Sequence, residues 1–416
     1  MMAVGLRGGN HRDDGFTWSG CADSVLCLSR EWTWMHGNVS ADIGSSAYLN
    51  DSFLDRVRFG YKLALGSVGA SIGRTWRLIN QRQASVHAAL MADDNIGLRQ
   101  IFADPISSDL FFGMDNLSRS LLANYQNDPI TVETLANDAR GDMLRLAKCL
   151  KIDDGMSLRS FEPELVLRKI DQLLGHAVEL PNVFRGELGL PTNRGIASYR
   201  AIQALYQTAR LASLLDRSGE NSVIEIGPGM GRTAYYAYRA GITDYTTIDL
   251  PMGIVAQACF LGAVLGPEKI WLSGDDENLA IGRIKLLAAG SNPARKFNIV
   301  LNCDSMTEMP LSAALNYMAW IEKHSELFLS INHDANKFTV EDIGISSFEC
   351  VSRDRYPMRP GYWEEIFVPL KSPRSARRIL RQRASIAWHL SGFVIRRVKP
   401  YLRRRFLSRP TGSQIP

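Results

Sequence analysis

Apolar positions between residues 50 and 180 recur with the spacing of amphipathic helices. The stretch Val132 to Leu150 follows a period close to 3.6 residues. A second stretch, Glu162 to Leu174, has proline at its second position, where proline suits a helix start. Residues 181–195 are dense in Gly and Pro, which indicates a linker or a structured loop. A long helix is predicted to follow from about Ser198 to Leu215.

After Gly219 the pattern changes to short apolar runs that alternate with helical stretches. Continuous β-rich runs separated by helices indicate a parallel sheet that is buried on both faces. The predicted strands are Ser222–Ile226, Tyr245–Leu250, Lys269–Leu272, Asn298–Asn302 and Leu327–Asn332, with Phe348–Ser352 and Glu365–Leu370 closing the sheet. The predicted fold class is therefore α/β, a doubly wound and mostly parallel sheet of about seven strands.

These changes of pattern divide the chain into four parts. We expect an irregular segment at 1–45, a mainly helical region at 46–197, the α/β domain at 198–370 and a basic tail at 371–416. With 45% hydrophobic and 22% charged residues, the 416-residue chain has an ordinary globular composition, which excludes a disordered or collagen-like protein.

The net charge of +5 is unevenly distributed. No Asp or Glu follows Glu365, whereas thirteen Lys or Arg lie between Lys371 and the C-terminus. Residues 1–370 therefore carry a net charge of −8, and a uniformly basic nucleic-acid binder does not show such a split. From Arg374 to Lys399 an apolar stripe lies opposite most of the cations. This pattern favours a peripheral contact with an anionic membrane, with docking on the acidic body or on nucleic acid as the alternatives.

Cysteine usage and targeting signals bear on the compartment. The six cysteines include no CxxC pair, so neither a zinc knuckle nor a disulfide framework is indicated. The N-terminus lacks the apolar run of a signal peptide, and no apolar stretch reaches the length of a membrane span. We expect a cytoplasmic protein, which the tail would hold at the inner face of the plasma membrane.

The strongest motif is a glycine-rich turn between a predicted strand and a helix. Gly227, Gly229 and Gly231 allow a tight turn and a close backbone approach to a ligand at the helix N-terminus. Asp249 ends the next strand, where a carboxylate suits the two hydroxyls of a ribose.

Several nucleotide-binding loops compete for this turn. A Walker A loop is excluded because the glycine spacing is one residue short and Arg232 replaces its Lys. A dinucleotide loop needs its third glycine one residue later, and a turn without any ligand remains an alternative. The pattern E-x-G-x-G-x-G, which begins at Glu225, resembles motif I of the Rossmann-like S-adenosylmethionine (AdoMet) methyltransferases. This resemblance implies that an acidic group after the third strand, Asp275 or Asp276, accepts a hydrogen bond from the adenine amino group.

Polar residues follow the fourth and fifth predicted strands. They are Asn302, Asp304, Ser305 and Glu308 after the fourth, and Asn332, His333, Asp334, Asn336 and Lys337 after the fifth. Because the carboxyl ends of strands line the ligand crevice of a doubly wound sheet, both loops together indicate an acceptor site.

Four sequence runs carry a more specific resemblance. VIEIGPGMG, TTIDLP, FNIVLNCDSMTEMP and SINHDANK resemble the sugar O-methyltransferase family of bacteria, most distinctively through the Asn-x-x-Ser-Met-x-Glu-Met run at 302–309. The stretches Arg355–Glu365 and Asp104–Asp115 are also similar, so the resemblance covers roughly residues 95–370. It implies methyl transfer from AdoMet to a sugar hydroxyl of a glycan or glycan precursor. The alternatives are a non-sugar metabolite as acceptor, and a non-catalytic AdoMet-fold module.

Methyl transfer to a hydroxyl needs a general base and an oriented acceptor. His333 is the first candidate base because its ordinary pKa lies near neutrality, and Glu308 and Asp304 come next. Asp304, Glu308 and Asp334 with His333 would suit Mg²⁺, although nothing in their spacing indicates a metal. Arg355 and Arg359 would pair with an anionic sugar or a phosphate, or lie in a solvated loop.

The remaining candidate site residues fall into two sets. The predicted cofactor-binding set is Glu225, Gly227, Gly229, Gly231, Asp249, Asp275, Asp276 and Asn302. The predicted substrate-binding set is Ser305, Asp334, Asn336, Arg355, Tyr356, Tyr362, Trp363 and Glu364, in which the aromatic residues would stack on a sugar ring or pack over the sheet edge.

Overall fold

The computed structural model describes most of the chain between residues 48 and 371. The described ranges are 48–67, 73–115, 129–152, 157, 161–184, 186–215, 221–343 and 347–371. The irregular segment predicted over 1–45 and the amphipathic helix predicted over Arg374–Lys399 lie outside the described residues. No helix of the described part has both the length and the apolar character needed to cross a bilayer.

Helices dominate the first part of the described chain. They are α1 (Asp51–Ser67), α2 (Arg74–Arg82), α3 (Ala84–Met91), α4 (Asn95–Ala103), α5 (Pro129–Cys149) and α6 (Pro163–Leu174). Asp94 caps α4 by accepting a hydrogen bond from the Gly97 amide at 2.8 Å. Gly175, with a φ of 78°, ends α6 in a left-handed conformation. The predicted helices over 132–150 and 162–174 are confirmed.

The Gly- and Pro-rich segment leads into a small antiparallel hairpin. Its strands are β1 (Gly189–Thr192) and β2 (Gly195–Ser198). The long helix α7 (Tyr199–Leu214) follows directly, and Ser198 caps it by accepting a hydrogen bond from the Ala201 amide. Polar side chains of α7, among them Gln203 and Arg210, are buried, which is unusual for a helix on the outside of a domain.

The central sheet has eight strands in the described residues. They are β3 (Ser222–Ile226), β4 (Asp244–Asp249), β5 (Ile270–Leu272), β6 (Ile284–Ala288), β7 (Phe297–Cys303), β8 (Ser325–His333), β9 (Phe348–Arg355) and β10 (Tyr362–Pro369). Their order is β5-β6-β4-β3-β7-β8-β10-β9, and β10 runs antiparallel to both of its neighbours. The helices between them are α8 (Arg232–Arg239), α9 (Pro251–Leu265), α10 (Leu311–His324) and α11 (Val340–Ile343).

The two faces of the sheet are covered by different helices. Alternate residues of β3 divide between them, since Val223 belongs to the apolar cluster that includes the N-terminal helices, and Ile224 to the cluster that includes α10. Both faces are therefore buried, as a doubly wound sheet requires. The predicted fold class, α/β with a doubly wound and mostly parallel sheet, is confirmed.

One strand was missed, and this changes the edge of the sheet. β6 pairs with β4, whereas the run predicted as the third strand, observed as Ile270–Leu272, lies beyond β6 at the edge. The sequence of β6, Ile-Lys-Leu-Leu-Ala, is short and includes a lysine, so its apolar character is weak. The acidic pair that follows Leu272 is consequently displaced from the centre of the sheet.

Candidate active site

A cavity of about 310 Å³ lies at the carboxyl edge of the sheet. It is lined by residues at or just beyond the ends of β3, β4 and β7. Residues of α2, α7 and the 113–115 segment complete the lining. This is the crevice in which a doubly wound sheet binds its ligand.

The glycine-rich turn forms one side of this cavity. Gly227, Gly229 and Gly231 have φ values of 69°, 60° and 90°, a region that side chains strongly disfavour. A Cβ atom on Gly229 would lie 2.9 Å from the Met114 carbonyl oxygen, and one on Gly227 would overlap the Ser305 side chain. Glycine is therefore required by both backbone conformation and space.

Two carboxyl groups lie beside the turn, of which Glu225 is buried and Asp249 is partly exposed. Glu225 accepts a hydrogen bond from the Tyr245 hydroxyl at 2.8 Å, and burial raises its pKa to about 8. Asp249 accepts hydrogen bonds from the Leu250 amide at 2.7 Å and from Gln257 Nε2 at 2.8 Å. Burial nevertheless raises the pKa of Asp249 to about 7. Both groups line the cavity as predicted.

Asn302 braces the turn from behind. It is fully buried, and its Nδ2 donates to the Ile226 carbonyl at 2.9 Å and to Ser305 Oγ at 2.6 Å. Asn332 Nδ2 donates to Asn302 Oδ1 at 2.8 Å, so the ends of three strands are connected. Asn302 does not line the cavity, whereas Ser305 does. The structure thus places Asn302 behind the turn rather than in the lining of the cavity.

Asp304 begins the other half of the cavity. It has a φ of 69°, and such a conformation outside glycine is concentrated at functional sites. Arg359 Nη1 donates to Asp304 Oδ2 at 2.9 Å, and Arg200 Nη1 lies 3.5 Å from the same oxygen. These three charged side chains line the cavity together.

Glu308 lies on the same loop as Asp304. Its carboxylate has no hydrogen bond or ion pair with another described residue, and its side chain lines the cavity. Desolvation by the surrounding protein and, secondly, the charge of Asp304 raise the pKa of Glu308 above its ordinary value. It is therefore a carboxyl group that is available for proton transfer.

Arg232, the residue that excludes a Walker loop, joins the cavity to the N-terminal part of the chain. Its Nε donates to Asp115 Oδ2 at 2.7 Å, and its Nη2 lies 2.8 Å from Glu187 Oε1. All three side chains are buried. The family-like segment 104–115 therefore reaches the cavity through Asp115, which lines it with Gly113 and Met114.

The two acidic residues predicted to bind adenine lie elsewhere, which corrects that prediction. Asp275 is paired with Arg56 at 2.6 Å and accepts a hydrogen bond from the Leu272 amide at 2.9 Å. Asp276 caps a short 3-10 turn, Glu277–Leu279, by accepting from the Asn278 amide. Neither residue lines the cavity, because the strand before them is the edge strand β5.

The loop after β8 also lies outside the cavity lining. His333 Nδ1 accepts a hydrogen bond from the Ala335 amide at 2.8 Å, and its ring lies edge-on to Tyr362. Asn336 Nδ2 donates to Thr307 Oγ1 at 2.6 Å, and Asp334 is paired with Arg355. The structure does not bring His333, the first candidate base, to the cavity.

The remaining predicted substrate contacts form the supporting layer or an outer surface. Tyr356 and Tyr362 are buried against each other. Trp363 lies under the guanidinium group of Arg355 at 3.7 Å. Glu364, which is 2% exposed, accepts hydrogen bonds from Tyr206 at 2.6 Å and Arg210 at 2.8 Å. Its substrate-binding assignment is corrected, because both carboxylate oxygens are used inside the protein.

Sequence reasoning missed the contribution of the helices. Trp76, Arg200, Gln203 and Gln207 line the cavity, although they lie far from the strand ends in sequence. A charged and amidic face on the otherwise apolar helix α7 was the available signal. Within the described ranges, no group of three or more His, Cys, Asp or Glu side chains has an arrangement that would hold a metal ion.

Comparisons with known proteins add little to this geometry. No protein-family model and no curated protein matches the chain. Among solved structures, the mitomycin 7-O-methyltransferase MmcR is 11% identical, with a TM-score of 0.29, and the match covers 84% of this chain and 100% of that one. An O-methyltransferase family 2 protein from Planctomyces limnophilus, in complex with apigenin, is 10% identical with a TM-score of 0.30, covering 58% and 95%. PigF with SAH is 13% identical with a TM-score of 0.29, covering 60% and 97%. Scores at this level carry no argument about chemistry, and the resemblance to the sugar O-methyltransferases stays a prediction.

Proposed function

We propose that this protein is an AdoMet-dependent O-methyltransferase whose acceptor is a sugar hydroxyl. The observation that carries the proposal is the meeting of two unlike walls in one cavity. One wall is the glycine turn with Glu225 and Asp249, and the other is a polar wall that includes Asp304 and Glu308. A cofactor and an acceptor bound on these walls would face each other.

The residues of the first wall fit AdoMet. The turn at 227–231 leaves no room for a Cβ at its first two glycines, as expected where backbone must approach a ligand. Asp249 would accept hydrogen bonds from the ribose hydroxyls. Glu225 would receive the amino group of the methionine part. When bound, AdoMet supplies a methyl group that is activated by its positively charged sulfur.

On the second wall, Glu308 is the proposed general base. Its raised pKa brings it closer to neutrality, where proton acceptance is most effective. AdoMet would supply the methyl group and leave as S-adenosylhomocysteine, and Glu308 would accept the proton of the acceptor hydroxyl. Asp304, fixed by Arg359, would orient that hydroxyl toward the methyl donor.

A sugar acceptor suits the number of polar groups on this wall. Arg200, Gln203, Asp304, Glu308 and Arg359 supply both donors and acceptors. The second candidate is a non-sugar metabolite, which is favoured by the apolar lining residues Ile79, Met114 and Met309. Trp76 suits either acceptor, because an aromatic ring packs on sugars and on planar rings alike.

Calorimetric titration with AdoMet, followed by a labelled-methyl screen of glycan and metabolite extracts, tests this function. We expect the wild-type protein to bind AdoMet and to label a hydroxyl, and Gly229→Arg to do neither because it fills the turn. Absence of AdoMet binding in the intact wild-type protein would remove the enzymatic proposal. Binding without transfer to any acceptor would favour a non-catalytic AdoMet-fold module.

We also propose that the protein is cytoplasmic and that its basic segment at 371–416 contacts anionic membrane. The support is the thirteen cations of that segment. Deleting 371–416 is expected to abolish co-sedimentation with phosphatidylserine vesicles. Unchanged sedimentation would remove the membrane proposal and leave the enzymatic one intact.

A further inference from the structure

Two guanidinium groups share one carboxylate in the acceptor half of the cavity. Arg359 donates to Asp304 through Nη1 alone, and Arg200 also approaches Asp304 through Nη1. Arg200 uses the same nitrogen for its bond to Gln203. The Nε and Nη2 donors of both side chains have no hydrogen-bond partner among the described residues. The three charged groups have a net charge of +1 when all are ionised.

Aromatic rings hold both guanidinium groups. The Arg359 guanidinium carbon lies 4.3 Å from the Tyr362 ring centroid, and that of Arg200 lies 5.5 Å from the Tyr199 ring centroid. Two arginines fixed in this way lose little conformational freedom when they bind an anion. The arrangement is therefore organised before a ligand arrives.

Gln203 adds a buried donor to the same wall. It is 3% exposed and lines the cavity, and its Oε1 accepts from Arg200 Nη1 at 3.3 Å. The Nε of Arg200 is buried without a hydrogen-bond partner in the described part of the chain. A buried donor without a partner is costly, so its presence on a cavity wall points to a ligand that supplies an acceptor.

The acceptor half of the cavity therefore differs from the cofactor half in its hydrogen-bond donors, which lie beside the carboxylates of Asp304 and Glu308. Glu225 and Asp249 offer carboxyl groups to a cationic cofactor, whereas Arg200 and Arg359 offer an excess of donors. A guanidinium fork matches the two oxygens of a carboxylate or a phosphate.

We propose that the acceptor substrate carries an oxyanion, a carboxylate or a phosphate, which binds to Arg200, Arg359 and Gln203. Its hydroxyl group would then lie toward Glu308, on the same side of the cavity. This inference rests on the proposed methyl transfer and narrows its substrate class to anionic acceptors.

Binding of three matched sugars to the full-length protein saturated with S-adenosylhomocysteine tests the proposal. The probes are glucose 1-phosphate, glucuronate and glucose, measured by calorimetry at pH 7. We expect at least one anionic sugar to bind about tenfold more tightly than glucose, or better, because its oxygens receive charge-assisted hydrogen bonds. The two anionic probes distinguish a phosphate from a carboxylate. Equal or tighter binding of glucose, or no measurable binding of either anion, would overturn the proposal.

Substitutions identify the residues that produce the preference for anionic sugars over glucose. Arg200→Gln and Arg359→Gln are each expected to remove most of this preference, whereas Arg200→Lys and Arg359→Lys should retain part of it. Arg239→Gln, which removes an exposed guanidinium paired with Glu179, is the matched control and should keep the full preference. Affinity for S-adenosylhomocysteine in every variant reports that the fold is intact. If the wild-type protein does not bind S-adenosylhomocysteine, the proposed function is contradicted. If both glutamine variants keep the full preference for anionic sugars, only this inference is contradicted.

Discussion

The two halves of the cavity are built in different ways. The cofactor half comes from one stretch of the chain, from Glu225 to Leu250, and its shape depends on glycines with positive φ. The acceptor half is assembled from α2, the 113–115 segment, α7, the 303–310 loop and Arg359, and its shape depends on ion pairs between side chains.

This contrast separates two kinds of function. A backbone turn can bind one constant ligand in many proteins, because its contacts do not depend on neighbouring side chains. An assembly of side chains from distant segments can change one residue at a time, and it suits a ligand that differs between proteins. We therefore expect substitutions in the first half to alter cofactor affinity, and those in the second to alter turnover and acceptor choice.

Replacing the proposed base is expected to give the largest effect. Glu308→Gln keeps the shape of the side chain but removes its ability to accept a proton, so kcat should fall by about 10²- to 10⁴-fold. AdoMet affinity should not change, because Glu308 belongs to the acceptor half. Single-turnover methyl transfer and calorimetric titration of AdoMet measure the two quantities.

His333→Asn is the matched comparison, since sequence reasoning ranked His333 first. We expect little change in kcat, because His333 does not line the cavity. A larger loss of kcat in His333→Asn than in Glu308→Gln would indicate that His333 is the base. It would also contradict the division of the cavity into a cofactor half and an acceptor half.

Residues that support the acceptor half from inside the protein should affect the free energy of unfolding rather than ligand binding. Glu364 joins α7 to β10 through buried contacts with Arg210 and Tyr206. Glu364→Ala leaves a buried guanidinium group without its carboxylate, which is expected to cost about 3–5 kcal/mol of unfolding free energy. Urea unfolding measures this loss, and the exposed Glu326→Ala is the control. Equal unfolding midpoints for the two variants would contradict the structural role of Glu364.

The same contrast explains what the sequence could predict. The turn, Glu225 and Asp249 were identified because their spacing along the chain is itself the signal. Asp304 and Glu308 lie at the cavity, as expected for residues that follow a central strand, and their catalytic roles stay predictions. Asp275 and Asp276 were misplaced because β6 was missed, which moved the presumed third strand to the sheet edge. Arg200, Gln203 and Trp76 were not identified, because only packing of helices against the sheet brings them to the cavity.

Removing Asp249, the proposed partner of the ribose hydroxyls, should give a moderate loss of cofactor affinity. We expect Asp249→Ala to weaken AdoMet binding by about 10- to 100-fold, because two charge-assisted hydrogen bonds are lost. Asp276→Ala should have no effect, since Asp276 caps a turn away from the cavity. Calorimetric titration of both variants at one pH checks this, and a comparable loss in Asp276→Ala would return adenine recognition to the acidic pair.

The smallest expected effect is a pH dependence in which stability and cofactor binding change in opposite directions. The folded-state pKa of Asp249 is about 7, well above that of an unfolded aspartate. The stability that this group contributes is therefore complete below the unfolded pKa and is lost as pH rises through about 7. AdoMet binding needs the ionised carboxylate, whose fraction falls about tenfold for each pH unit below the pKa, so affinity should rise about tenfold from pH 5.5 to 7. Calorimetry and urea unfolding over this range, each compared with Asp249→Asn, measure both trends.

If acidification weakens AdoMet binding equally in the wild type and in Asp249→Asn, then Asp249 does not bind the cofactor as a carboxylate. If only the wild type loses stability and gains AdoMet affinity as the pH rises, then burial of Asp249 opposes folding of the empty protein near neutral pH. Binding of the cofactor would then offset this loss of stability.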